Sequence, residues 1–233
     1  MAITLVSSSM VYPGGGGQSF GTFNINCGTG TDRLILLYAL TYQGSYGDPT
    51  NVQLDGSTNF TSLFAQDWDL WGNYFRIRAY YLINPGTGTH SITGTTYATG
   101  WNTYLLAMAF SGALQSAPTN YTGDGGQLNE SLASVTITPA DATSILAECI
   151  VNWNDTADTN IANNGQTKIQ EQQFGGNAIA AGGYSSAGST SLQTRGWTFT
   201  PDSTVNLWDQ AIVELRPSAA GAAFNALQLG LNT

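Results

Sequence analysis

The densest gathering of chemically useful side chains is Gln66-Asp-Trp-Asp-Leu-Trp71, where two carboxylates and two indoles fall together. Asp67 and Asp69 stand two residues apart, so a strand carried through this segment sets both on one face. Paired carboxylates facing a cleft are the working groups of glycoside hydrolysis. Indoles beside them suit another task, because flat aromatic faces stack on the apolar faces of sugars while nearby polar groups take the hydroxyls. Trp101 also lies near a turn, whereas Trp153, Trp197 and Trp208 sit in strand-like patterns that read as core. The candidate carbohydrate-binding set is therefore Trp68, Trp71, Trp101, Asp67 and Asp69. The plainer reading is a solvated turn whose aromatics anchor it to the fold.

Other chemistry is thin. His90 is the single histidine, and it follows the Pro85-Gly-Thr-Gly88 turn, where a hairpin-end imidazole meets solvent rather than a nucleophile. Gly14 to Gly17 lacks the following helix that would hold a phosphate. Asn154, Asp155, Asp158 and Asn160 offer oxygen ligands to a hard cation, yet their spacing departs from the EF-hand order, and an Asx-turn loop accounts for them equally. Arg76 and Arg78 alternate with Phe75 and Ile77, share one strand face, and point to solvent or to a partner's acid. These readings predict a non-enzymatic chain with no cofactor and no metal.

Charged residues make up 9% of the 233-residue chain, against roughly 25% in an average soluble domain. Gly, Ser, Thr, Asn and Gln fill the polar positions, giving a hydroxyl- and amide-rich surface that loses little on desolvation against protein or sugar. The net charge is −9 and the six basic residues are scattered, which argues against nucleic acid as a partner. An acidic exterior and the lack of a membrane-length apolar run argue against a membrane. The start, Met1 to Met10, has neither the basic region nor the apolar stretch of a signal peptide. Read as a native start, it points to a chain made in the cytoplasm. Cys27 and Cys149 have no CxxC or metal-ligand spacing and read as buried free thiols.

Positioning falls to strands. Arg33-Leu-Ile-Leu-Leu-Tyr-Ala-Leu-Thr-Tyr42 is apolar on both faces, and Tyr74 to Ile83 alternates before breaking at Asn84-Pro85-Gly86. Asn51-Val-Gln-Leu-Asp-Gly56 reads as a short strand running into a turn. About fourteen such segments, with turn signals between them and no convincing helical stripe, predict two packed antiparallel sheets over residues 1–216. Residues 1–18 supply an N-terminal strand and a Gly-rich hinge or loop, and a loop-rich stretch from Ser116 to Gly126 separates two halves. After Pro217 comes a small-residue tail over 217–233 that carries Phe224, Leu227, Leu229 and Leu231 and no charge. A tail so apolar either folds back on its own domain or docks on a neighbouring copy or partner.

The order of Arg33-Leu34, Tyr42 and Gly44, Val52 to Gly56, Tyr80-Tyr-Leu-Ile-Asn-Pro-Gly-Thr-Gly-Thr-His90, Ser91 to Thr96 and Leu105 to Gly112 resembles the jelly-roll-like β-sandwich domains of phage virion proteins, also seen in some bacterial surface proteins. It covers roughly residues 30–215. The resemblance implies an all-β, antiparallel, jelly-roll-like sandwich and a structural role in the virion, foremost a capsid decoration or cement protein. Its implied partners are other copies of itself, with a trimer preferred, and the major capsid protein or another virion protein, after assembly in the host cytoplasm. The alternative it leaves open is a glycan-binding module of a phage tail or bacterial surface protein, with a host glycan as partner. No catalytic residue carries over, because the matching positions are turns and core strands.

Overall fold

The computed structural model describes residues 2–14, 19–20, 23–42, 48–70, 73–96, 102–127, 132–153, 159–163, 165–174, 178–200 and 207–219. All of its regular structure is strand. In chain order the first half contains β1 (Thr4–Gly14), β2 (Phe23–Asn26), β3 (Leu34–Tyr42), β4 (Thr50–Leu54), β5 (Thr58–Asn59), β6 (Thr61–Leu70), β7 (Asn73–Ile83), β8 (Thr89–Thr95) and β9 (Asn102–Ser111). The second half contains β10 (Tyr121–Gln127), β11 (Leu132–Ile137), β12 (Ile145–Trp153), β13 (Thr159–Asn163), β14 (Thr167–Phe174), β15 (Ala178–Ser186), β16 (Gln193–Thr200) and β17 (Leu207–Leu215).

The antiparallel sandwich is as expected, but its sheets number four rather than two. Their strand orders are β2-β8-β4-β5, β1-β9-β3-β7-β6, β10-β17-β12-β15-β14 and β11-β16-β13. Three cores separate them. Phe23, Ile25 and Ile92 of the first sheet meet Ile35, Leu37 and Leu105 of the second. The opposite face of that second sheet, with Leu36, Tyr38 and Leu106, meets Ala147, Cys149 and Val213 of the third. Leu146, Ile150 and Ile212 then back onto Val135, Trp197 and Phe199 of the last. The stack explains why β3, β12 and β17 are buried on both faces: each lies between two neighbours in an inner layer and turns alternate residues into different cores.

The two halves repeat one another. Replacing β1, β9, β3, β7 and β6 by β10, β17, β12, β15 and β14 converts the second sheet into the third, and β2, β8 and β4 likewise become β11, β16 and β13. Even the irregularities recur. Thr61 pairs with Tyr81 just before a bulge between Ser62 and Phe64, and Thr167 pairs with Tyr184 just before a bulge between Lys168 and Gln170. The halves face each other reciprocally, with β1 against β14 and its counterpart β10 against β6. That is the pattern of an approximate two-fold within one chain.

Three strands were not expected from the sequence: β5, β10 and β13. Tyr121 to Gly126, read as loop, forms β10 because its glycines serve close approach, the Trp208 ring lying where a Cβ on Gly126 would be. The expected turns are present. Asp55 and Gly56 both have positive φ as the central pair of the turn that the Ser57 N–H closes onto the Leu54 carbonyl between β4 and β5, and Asn84 turns the chain after β7 with φ 50.

Candidate functional site

Antiparallel pairing brings the C-terminal ends of β1, β3, β6 and β8, and of their counterparts β10, β12, β14 and β16, to one end of the stack. Tyr104 and Ala178 fix the shared end of the two halves, the Tyr104 hydroxyl donating to the Ala178 carbonyl at 3.0 Å. On β6 and β7 this end carries a four-charge cluster. Arg76 Nε lies 2.9 Å from Asp48 Oδ1 and 3.1 Å from Asp67 Oδ1, and Arg78 Nη2 lies 2.6 Å from Asp48 Oδ2. All four side chains are partly exposed. Burial pushes the Asp67 carboxyl up by more than Arg76 pulls it down.

Arg76 and Arg78 thus share a face as expected, but their acids come from the same chain. Asp67 is paired with Arg76. Trp68 stands in register with Phe75 and Asp69 with Tyr74, while Asp67 pairs with Arg76. Trp71 and Trp101 lie outside the described residues, as do Asn154, Asp155 and Asp158. Asn160 belongs to β13, in register with Phe199. Among the described residues no cluster of three or more His, Cys, Asp or Glu is arranged to hold a metal. Trp197 and Trp208 are core residues as expected, and Cys27 and Cys149 are buried free thiols.

His90 departs from the solvated reading. Its Nδ1 lies 2.7 Å from Asp55 Oδ2, while Asp55 Oδ1 accepts the Ser91 N–H at 2.8 Å and the Ser91 hydroxyl at 3.2 Å. The serine therefore bonds the carboxylate and not the imidazole, which is the wrong order for nucleophile activation. The arrangement pins the β4–β5 hairpin to β8. Glu214 acts similarly in the second half, accepting the N–H groups of Ala140 and Asp141 at 3.0 Å and the Ser144 hydroxyl at 2.6 Å. Burial pushes its carboxyl up, but these donors outweigh it and hold it below the ordinary range.

Sequence reasoning missed a buried polar network in the second sandwich. Glu148 Oε2 accepts Gln166 Nε2 at 2.8 Å, Trp197 Nε1 at 3.2 Å and Gln210 Nε2 at 3.3 Å. Glu148 Oε1 has no hydrogen-bond partner among the described residues. Burial pushes the carboxyl up to about 7, against the pull of Gln166 and Arg195. The available signal was a lone acid inside the apolar run Ile145-Leu-Ala-Glu-Cys-Ile-Val151.

At the end opposite the loops, Leu34, Ala113, Leu114, Ala117, Pro118 and Leu215 line a cleft of about 90 Å³. That is well below the roughly 300 Å³ at which small-molecule sites begin. The expected docking residues Phe224, Leu227, Leu229 and Leu231 lie outside the described residues. No protein-family model, curated protein or solved structure matches the chain.

Proposed function

We propose that the chain is a non-enzymatic structural protein of a bacteriophage virion, foremost a capsid decoration protein that binds neighbouring copies and the shell. The observation that carries this reading is the fusion of two repeated sandwiches through a continuous apolar core, related by an approximate two-fold. Such a block deforms little, and its low-charge surface suits many repeated contacts whose avidity exceeds any one of them. Its ionic groups support the same reading, since Asp55, Asp67, Arg76, Arg78, His90 and Glu214 hold the fold's own turns and strands. The test is add-back of purified protein to shells stripped of accessory proteins, followed by sedimentation. Saturable binding at a fixed ratio to the shell protein is expected, and failure to co-sediment sinks the role.

A second reading is favoured by the gathering of eight strand ends at one end. β6, which carries Trp68 and precedes Trp71 in sequence, and β8, which precedes Trp101, both end there, and Asp48, Asp67, Arg76 and Arg78 cluster at the same end. On this reading the end binds a host glycan. A glycan array that is blank for the wild type, or unchanged for Trp71→Ala, removes it.

A further inference from the structure

Exposed large apolar side chains cluster around the cleft at the end opposite the loops. Ile83, Leu114 and Tyr121 are each more than a third exposed. Ile83 pairs with Leu34, Tyr121 follows Asn120, and Leu34, Leu114 and Asn120 all line the cleft. Its volume matches a single aliphatic side chain better than a ligand.

The chain leaves the described fold beside this cleft. The Leu114 N–H donates to the Arg216 carbonyl, Ala113 pairs with Pro217, and the Ser218 N–H donates to the Gly112 carbonyl. This pairing carries the chain toward Gly112 and away from the Ala117 and Pro118 side of the cleft. After Ala219 come four residues no larger than alanine, and then Phe224, Leu227, Leu229 and Leu231 with no charge among them. Phe224 lies up to about 17 Å past Ala219 along an extended chain. That reach is long enough to carry the large side chains of the tail to the cleft of a second copy.

We propose that the cleft receives an apolar side chain from the 220–233 segment of a second copy of this chain. This deepens the assembly reading above by naming the contact between copies. The link is heterologous, so it closes into a ring or propagates according to the rotation between copies.

The test uses three full-length proteins and sedimentation velocity. Leu114→Asp spoils the cleft and keeps the tail, with Ala117→Glu as a second cleft variant should the first misfold. A fourfold variant, Phe224→Ser, Leu227→Ser, Leu229→Ser and Leu231→Ser, keeps the cleft and spoils the tail. The wild type is expected as an oligomer, each variant alone as a monomer, and an equimolar mixture of the two kinds as a heterodimer. A monomeric wild type, as when each tail fills its own cleft, an oligomer that survives either change, or a mixture that stays monomeric overturns the proposal. The virion role fails separately, when oligomers form normally yet leave stripped shells bare.

Discussion

Leu37 on β3 and Glu148 on β12 hold the same register position in the two sandwiches. Leu37 stands between Tyr80 and Ala107, and Glu148 stands between Gly183 and Ile212. Leu105 and Gln210 correspond in the same way, opposite Ala39 and Ile150. The first sandwich therefore buries two leucines where the second buries a carboxyl and an amide.

Ionising Glu148 in that interior opposes folding. Its proton affinity is raised in the folded state, so the native chain binds more protons than the unfolded one, and stability falls as pH rises from the ordinary carboxylate range to about 7. At about 1.4 kcal/mol per tenfold change in affinity, the burden above pH 7 is roughly 3 kcal/mol. Glu148→Gln keeps an oxygen for the three donors and cannot ionise. Urea unfolding should show it near wild-type stability at pH 5 and clearly more stable at pH 8. Glu148→Leu should instead lose about 1–3 kcal/mol at pH 5, because it strands Trp197 Nε1 and takes one acceptor from the Gln166 and Gln210 amides, which keep the Gly196 and Arg195 carbonyls.

Strands such as β3 and β12 were legible because burial on both faces leaves long, mostly apolar runs, and the Asp55-Gly56 turn was legible because its chemistry is local. The duplication was not, since counterparts share register and not side chains: Leu37 and Glu148, Tyr80 and Gly183, Tyr104 and Asp209. The partners of Glu148 are likewise scattered, Gln210 lying 62 residues away in sequence. Asp48, the acid that holds both Arg76 and Arg78, was not singled out because it comes from beyond the adjacent strand, just before β4.

Gly182 on β15 sets the spacing of the two inner sheets. A Cβ there would lie 2.1 Å from Leu106 Cδ2 and 3.2 Å from its Cγ, and Leu106 is fully buried. Gly182→Ala should therefore cost about 1–3 kcal/mol by overpacking. Leu106→Ala should cost about 2–5 kcal/mol by opening a cavity. The double variant should be less destabilised than the two losses added, because the new methyl occupies space the leucine vacates. Strict additivity in denaturant melts would mean that the two sheets do not meet at this point.

The Asp55 and His90 pair should stabilise the hairpin over a bounded pH window. The hydrogen bond with Asp55 raises His90, so its contribution is complete below the ordinary histidine value and fades as pH climbs through the raised one. The same bond, with the Ser91 N–H, lowers Asp55, so its contribution is present above the ordinary carboxylate value and fades as pH falls through the lowered one. The window runs from about pH 4 to 6.5. Because Asp55 is half exposed, the gain is at most about 1 kcal/mol. His90 gives the single histidine ring signal in an NMR titration, and Asp55→Asn should shift its midpoint downward. An unmoved midpoint refutes the pairing.

Asp209 is the counterpart of Tyr104, and the two differ in reach. The Tyr104 hydroxyl finds a carbonyl across the inner core, whereas neither carboxyl oxygen of the fully buried Asp209 has a hydrogen-bond partner among the described residues. Burial pushes its carboxyl well up, and the charges of Asp67 and Asp124 add to the rise. The raised proton affinity favours the neutral acid in the fold, so stability declines as pH rises above the ordinary carboxylate range until the raised value is passed. Asp209→Asn has nearly the same shape and no ionisation, so it should match the wild type near pH 4 and exceed it as pH rises above the ordinary carboxylate range. Melting temperatures of the two proteins that track each other in parallel across that range would show that Asp209 does not carry the burden.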